Sequence, residues 1–167
     1  MKQTLYNPVV PLSAAVGVAV ALAVAGTISA HDGDIHHKVV SSGEVVFQPG
    51  PPTLPAGAQF AVLHGSPAEK APFVMRLKLP AGYIIPPHFH PEEEHVTVIS
   101  GGFGVGSGKV HDKSAAPILP AGSFVQLPTG MAHFAWTEEE TVVQINAIGP
   151  FGITYIDPAD DPRPKIN

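Results

Sequence analysis

The sequence predicts an all-β domain, and three observations carry that prediction. Nineteen prolines and seventeen glycines punctuate 167 residues, bracketing short runs of alternating apolar and polar side chains, the pattern of many short strands. No segment of the mature region repeats its apolar residues at helical spacing. In Phe73-Val-Met-Arg-Leu-Lys-Leu79, Arg76 and Lys78 alternate with Met75, Leu77 and Leu79, so one face is buried and the other wet, as in the wall of a barrel.

Taken in order, the candidate strands are Val45 to Phe47, Phe60 to Leu63, Phe73 to Leu79, a strand ending at His90, Glu94 to Ser100, Gly102 to Val105, Ser123 to Leu127, His133 to Thr137, Val142 to Ala147 and Phe151 to Ile156. Gln48 to Ala58 contains Pro49, Pro51, Pro52 and Pro55. The missing donors exclude a central strand, so an extended arm packed on the barrel is expected. Gly104 to Ala116, rich in Gly, Ser and charge, reads as a long hairpin loop. Residues 44–157 are thus the folded barrel, and 158–167 are a polar, proline-punctuated tail.

The first thirty residues read as a removable leader. Lys2 is the only charge before His31, Leu12 to Ala25 is apolar apart from Ser13, and Ile28-Ser29-Ala30 offers a small residue before a cleavage point. The competing reading is an uncleaved anchor, for which Leu12 to Ala30 falls slightly short of the roughly 20 apolar residues a span requires. Cleavage predicts a periplasmic or secreted protein with no membrane attachment. The absence of a twin arginine favours unfolded export, after which a metal site fills outside the cytoplasm. With no cysteine there is no disulfide framework, and stability must come from a hydrophobic core. The formal charge of −5 and the lack of a basic patch exclude nucleic acid as a partner. Residues 31–43 form a flexible His-rich N-terminus, in which His31, His36 and His37 with Asp32 and Asp34 are either a polar stretch of adventitious affinity or a copper-collecting tract.

Two stretches carry chemistry. In Gly82-Tyr-Ile-Ile-Pro-Pro-His88-Phe-His90-Pro-Glu-Glu-Glu94, strand periodicity points His88 and His90 to the same face, roughly 6.7 Å apart. Pro91 ends that strand, and a new one begins at Glu94, with Glu94, Val96 and Val98 sharing one face and His95, Thr97 and Ile99 the other. The second stretch, Gly122 to His133, supplies another imidazole. Read together, His88, His90, Glu94 and His133 offer three nitrogens and one oxygen, a donor set suited to one divalent transition metal: manganese, iron, copper, nickel or zinc. A carboxylate facing a barrel interior is costly unless paired or coordinated. Four protein ligands leave open positions on a six-coordinate ion and none on a tetrahedral zinc.

These residues resemble the cupin family, in the form of a single-domain secreted cupin of the cupin-2 type. Its first motif, G-x5-H-x-H-x3-E-x6-G, is matched by Gly82, His88, His90, Glu94 and Gly101, and its second, G-x5-P-x-G-x2-H-x3-N, by Gly122, Pro128, Gly130 and His133. Thr137 stands where the pattern has asparagine, which touches a turn contact and not the ligand set. The resemblance implies a double-stranded jelly-roll β-barrel holding the metal inside, and dioxygenase chemistry as the leading reaction class. On that reading the protein is a secreted metal-dependent enzyme acting on a small oxygen-bearing substrate. Tyr83, Met75, Phe103 and Met131 are then candidate pocket walls. The alternative is a non-catalytic binding or sensing protein, since no nucleophile or separate acid/base pair stands out; a structural zinc barrel is a third.

Of the other polar residues, His64, His95 and His111 read as surface histidines, and Glu92, Glu93 and Glu138 to Glu140 as solvated turns. Phe134 and Trp136 point away from His133 by parity and need cover, either within the fold or from a second subunit, so a homodimer is expected.

Overall fold

The computed structural model describes residues 37–165. The expected leader at 1–30 and His31 and His36 of the N-terminal tract lie outside those residues. Among the described residues there is no α-helix, only three single-turn 3-10 helices at Ser42–Glu44, Lys113–Ala115 and Pro158–Asp160, and no helix is long and apolar enough to cross a membrane.

Among the described residues, eleven strands make two antiparallel sheets. The first has the order β1 (Gln48–Pro49), β2 (Gln59–His64), β3 (Pro72–Leu79), β10 (Thr141–Ile148), β5 (Glu94–Ser100) and β8 (Phe124–Leu127); the second has β11 (Thr154–Tyr155), β4 (Ile84–Phe89), β9 (His133–Thr137), β6 (Gly102–Ser107) and β7 (Ile118–Pro120). This is the two-sheet jelly roll expected of the sequence. Strand neighbours such as β3 and β10 are far apart along the chain, pairing from Thr141↔Leu79 to Ile148↔Pro72.

One core joins the sheets. Leu77, Leu79, Val96, Val98, Val143 and Ile145 from the first sheet pack with Ile85, Phe103, Ala135 and Tyr155 from the second. Each is an inward residue of a period-two strand, and full burial of a side chain such as Leu79 contributes about 2 kcal/mol. The alternation on β5 is as read from the sequence, with Glu94, Val96 and Val98 buried and His95, Thr97 and Ile99 not.

Strand boundaries differ where proline intervenes. The expected strand at Val45 to Phe47 is absent; the chain pairs only at Gln48↔Phe60 and Pro49↔Gln59 before leaving the sheet as the proline-rich arm. Tyr83 and Tyr155 pin that arm by donating their hydroxyls to the carbonyls of Pro55 and Thr53. Phe151 to Ile156 forms only the two-residue β11, β6 runs on to Ser107 into the expected Gly104–Ala116 loop, and β7 is an additional strand just after that loop, in a stretch assigned to no element. Its three residues are too few for a periodicity to show.

Phe134 and Trp136 are covered within the chain. Both are essentially inaccessible, with their rings stacked 5.8 Å apart over Gly104 and Gly106 of β6, where a Cβ would fall 2.0 Å and 2.4 Å from the Trp136 and Phe134 rings. His111 closes over them, 5.0 Å from Phe134 and 6.0 Å from Trp136. The reason given by these rings for a second subunit is therefore removed. His111 is half-buried rather than a surface residue, and its Nε2 is buried with no hydrogen-bond partner among the described residues.

Candidate metal centre

Gly82 to Gly101 folds as two strands joined by a turn, and its prolines set the geometry. Between Ile85↔Ala135 and His88↔His133 the β4–β9 register shifts by one residue. Pro86 and Pro87 occupy the shift, where two missing N–H donors cost no ladder bonds. The bulge brings His88 opposite His133, with ring centroids 4.2 Å apart. Its Pro86 carbonyl is 2.7 Å from His88 Nδ1. β4 ends at Phe89, and His90 follows immediately at the edge.

Gly130 carries φ +72, a conformation that L side chains rarely adopt. It makes the turn before β9 and donates its N–H to the His90 carbonyl, 2.9 Å away, tying the second motif to the first. Gly101 closes β5 with φ +74, and a Cβ there would meet the Glu140 carbonyl at 2.6 Å.

The structure brings the expected residues together. His88, His90 and His133 have ring nitrogens within 4.8 Å of one another. Glu94, the first residue of β5, places Oε2 3.4 Å from His90 Nε2 and 3.7 Å from His133 Nε2. The four are 3%, 6%, 2% and 5% exposed for His88, His90, His133 and Glu94, so their convergence is interior.

A carbonyl can only accept, so each Nδ1 facing one must carry the proton. His88 donates to Pro86, His90 to Gly152 at 2.6 Å and His133 to Met131 at 2.9 Å. All three imidazoles thereby present an Nε2 lone pair to the same interior point, the tautomer a metal ligand requires. His90 is further held by stacking on Phe151, 4.5 Å between centroids. The donor chemistry fits a divalent transition metal: three neutral imidazole nitrogens and a carboxylate, with the outer nitrogens all engaged.

Charge follows the same layout. Burial, then the neighbouring His133 and His90, push His88 down to about 2. Burial likewise lowers His133. Burial also pulls on His90, but the adjoining Glu94 carboxylate and the Gly152 carbonyl outweigh it and leave this imidazole raised.

The four residues line one end of a cavity of about 340 Å³ whose remaining wall is almost wholly apolar. Met75 and Phe103 belong to that wall, as expected. Tyr83 does not; it is a core residue holding the proline arm. Met131 packs against the core and contributes its carbonyl to His133. Thr137, in the position of the missing asparagine, is fully buried, donates to the Pro80 carbonyl at 2.6 Å and accepts from the Tyr83 N–H at 3.1 Å. The threonine hydroxyl thus makes two bonds to the 80–83 turn. Glu93 does not reach the site; it accepts from His95 and Gln126 on the outer face of the sheet.

The sequence profile of the ChrR cupin-like domain matches residues 35–152. The chain belongs to that cupin family. Comparison with curated proteins finds no match. Among solved structures, an acetylacetone dioxygenase from Acinetobacter johnsonii is 20% identical with a TM-score of 0.57, covering 75% of this chain and 80% of its own. The polyketide cyclase RemF from Streptomyces resistomycificus is 18% identical with a TM-score of 0.59, covering 76% and 90%. An RmlC-like cupin from Shewanella frigidimarina is 14% identical with a TM-score of 0.53, covering 68% and 91%. At these identities the cupin fold is what is shared, and the differing names of the three show how many chemistries it hosts.

Proposed function

We propose that this cupin is a metal-dependent enzyme of dioxygenase type, in which His88, His90, Glu94 and His133 hold one divalent transition metal and a small oxygen-bearing substrate enters the cavity beside it. One observation carries the reading: three buried imidazoles, each fixed by a carbonyl at Nδ1, turn their free Nε2 atoms and a buried carboxylate toward one point at the end of a cavity. The ion, when bound, supplies Lewis-acid polarisation of a substrate oxygen or a site for dioxygen chemistry. The chain's own residues do the rest. The backbone carbonyls orient the imidazoles, Glu94 compensates positive charge, and the apolar wall excludes water and seats the substrate. No separate base lines the cavity, so the four residues are assigned ligand roles. That an acetylacetone dioxygenase shares the fold supports the reaction class.

Elemental analysis of the purified protein, followed by dioxygen uptake with small carbonyl and phenolic substrates, tests the reading. Stoichiometric metal with dioxygen consumed in proportion to product supports it, and His90→Ala should abolish stoichiometric loading. Saturable ligand binding without turnover across the panel would instead identify a binding protein. We further propose export with cleavage after Ala30, on the apolar run of the leader; an exported protein whose N-terminal sequence begins at Met1 refutes it. The homodimer proposal rests on family resemblance alone, and a monomeric mass at micromolar concentration would end it.

A further inference from the structure

We infer that the cavity selects a ligand with its oxygen donors at one end and an uncharged, apolar body at the other; this rests on the metal reading above and names its substrate class. Among the described residues, the only ionisable side chains lining the cavity are His88, His90, His133 and Glu94. They sit at the ends of their strands: Glu94 opens β5 and His133 opens β9. One inward step along each strand, roughly 6.7 Å further, the wall is Val96 and Ala135, and beyond the polar end it continues through Leu77, Leu79, Val143 and Ile145. Among the described residues, no lysine, arginine or aspartate lines it, and Thr53 supplies the single side-chain hydroxyl.

A charge carried at the far end of a ligand would therefore be stripped of water against hydrocarbon with no partner. The hydroxyls of a sugar would likewise lose their hydrogen bonds. A volume of about 340 Å³ accommodates about ten water-sized units at roughly 30 Å³ each, enough for a chelating head and a short alkyl or aryl tail. The class is a small molecule bearing a 2-oxo acid, enol or phenol head on an apolar body.

Three 2-oxo acids with one common head separate the alternatives: pyruvate, 2-oxopentanoate and 2-oxoglutarate. They are titrated into nickel(II)-loaded protein under nitrogen, so that binding is read without turnover. Two added methylenes buried in the cavity should make 2-oxopentanoate bind about tenfold tighter than pyruvate. Replacing its terminal methyl by the carboxylate of 2-oxoglutarate should cost on the order of a hundredfold. Ala135→Leu, which narrows the wall one strand step beyond His133, should remove most of the advantage of 2-oxopentanoate over pyruvate. Equal affinities for the three acids, or tighter binding of 2-oxoglutarate, overturn the inference.

If nickel fails to load and none of the acids binds, the metal reading falls. The apolar cavity is then tested on the metal-free protein with toluene. A rise in Tm that Ala135→Leu abolishes sustains the apolar body, and no rise overturns it.

Discussion

Glu94→Gln keeps the shape of the buried side chain and removes its charge, so it separates what the carboxylate does for the fold from what it does for an ion. In the metal-free protein its Oε2 lies 3.4 Å from His90 Nε2, where an ion pair at an effective dielectric of 20 is worth about 5 kcal/mol of Coulomb energy. Removing the carboxylate also relieves a desolvation cost of several kcal/mol. The two terms nearly cancel, so the metal-free variant should unfold within about 1 kcal/mol of the parent at pH 7.5. Metal binding has no such compensation. Loss of an outer-shell partner already costs 10- to 100-fold in affinity, and a direct ligand should cost at least about 100-fold. At a free metal concentration of about 100 times the parent Kd, the parent gains about 2.7 kcal/mol and the variant about 0.4 kcal/mol. For a domain of this size, the metal-induced rise in Tm should drop from roughly 10 °C to roughly 2 °C. Differential scanning calorimetry with and without metal reads both quantities. An undiminished metal-induced shift in Glu94→Gln would show that the carboxylate is not a ligand and would refute the reasoning.

Other perturbations follow from the same geometry. The metal-free protein should lose stability as pH falls from 6.5, because His88 is held neutral down to about 2 while the unfolded chain takes up its proton at about 6.5. Each pH unit in that window removes about 1.4 kcal/mol for His88, and the lowered His133 acts in the same direction. His90, raised in the fold, is protonated in both states below 6.5 and contributes no slope there; its stabilisation is lost only as pH rises through its folded value. A metal-free Tm that stays flat or climbs between pH 6.5 and 5 contradicts the buried, neutral His88. His111→Leu should raise Tm by a few degrees, about 1 kcal/mol, because it replaces a buried nitrogen without a partner by hydrocarbon over Phe134 and Trp136; thermal melts showing destabilisation would mean that Nε2 is satisfied in solution. Gly104→Ala should cost about 1–3 kcal/mol in chemical denaturation, its Cβ falling 2.0 Å from the Trp136 ring, and a neutral result would show that the ring has room to move.

Much of the site was legible because strand parity and motif spacing act locally. His88, His90, Glu94 and His133 lie at inward positions that a period-two reading finds, and the buried face of β5 follows without tertiary knowledge. The orienting carbonyls were less legible. Those of Pro86 and Met131 each lie two residues before the histidine they orient, but the Gly152 carbonyl that fixes His90 and the Phe151 ring stacked on it come from a distant segment, and nothing in Pro150-Phe151-Gly152 marks it as a partner. The cover over Phe134 and Trp136 had a signal. Gly102, Gly104 and Gly106 alternate on β6 while Phe134 and Trp136 alternate on β9, a small-for-large pairing visible once the two strands are set side by side. Tyr83 and Met131 were misplaced as pocket walls because parity gives a direction and not the depth at which the proline arm intervenes.

The bond from His90 to Gly152 ties the centre to the segment that leads into β11. All four side chains have been synthesised once the ribosome passes His133, yet His90 has no aligned ring until the stretch through Gly152 has emerged and β11 has docked beside β4. Competence to capture an ion therefore arrives only as the fold is being completed, and a nascent chain bearing every donor atom still lacks the geometry to use them.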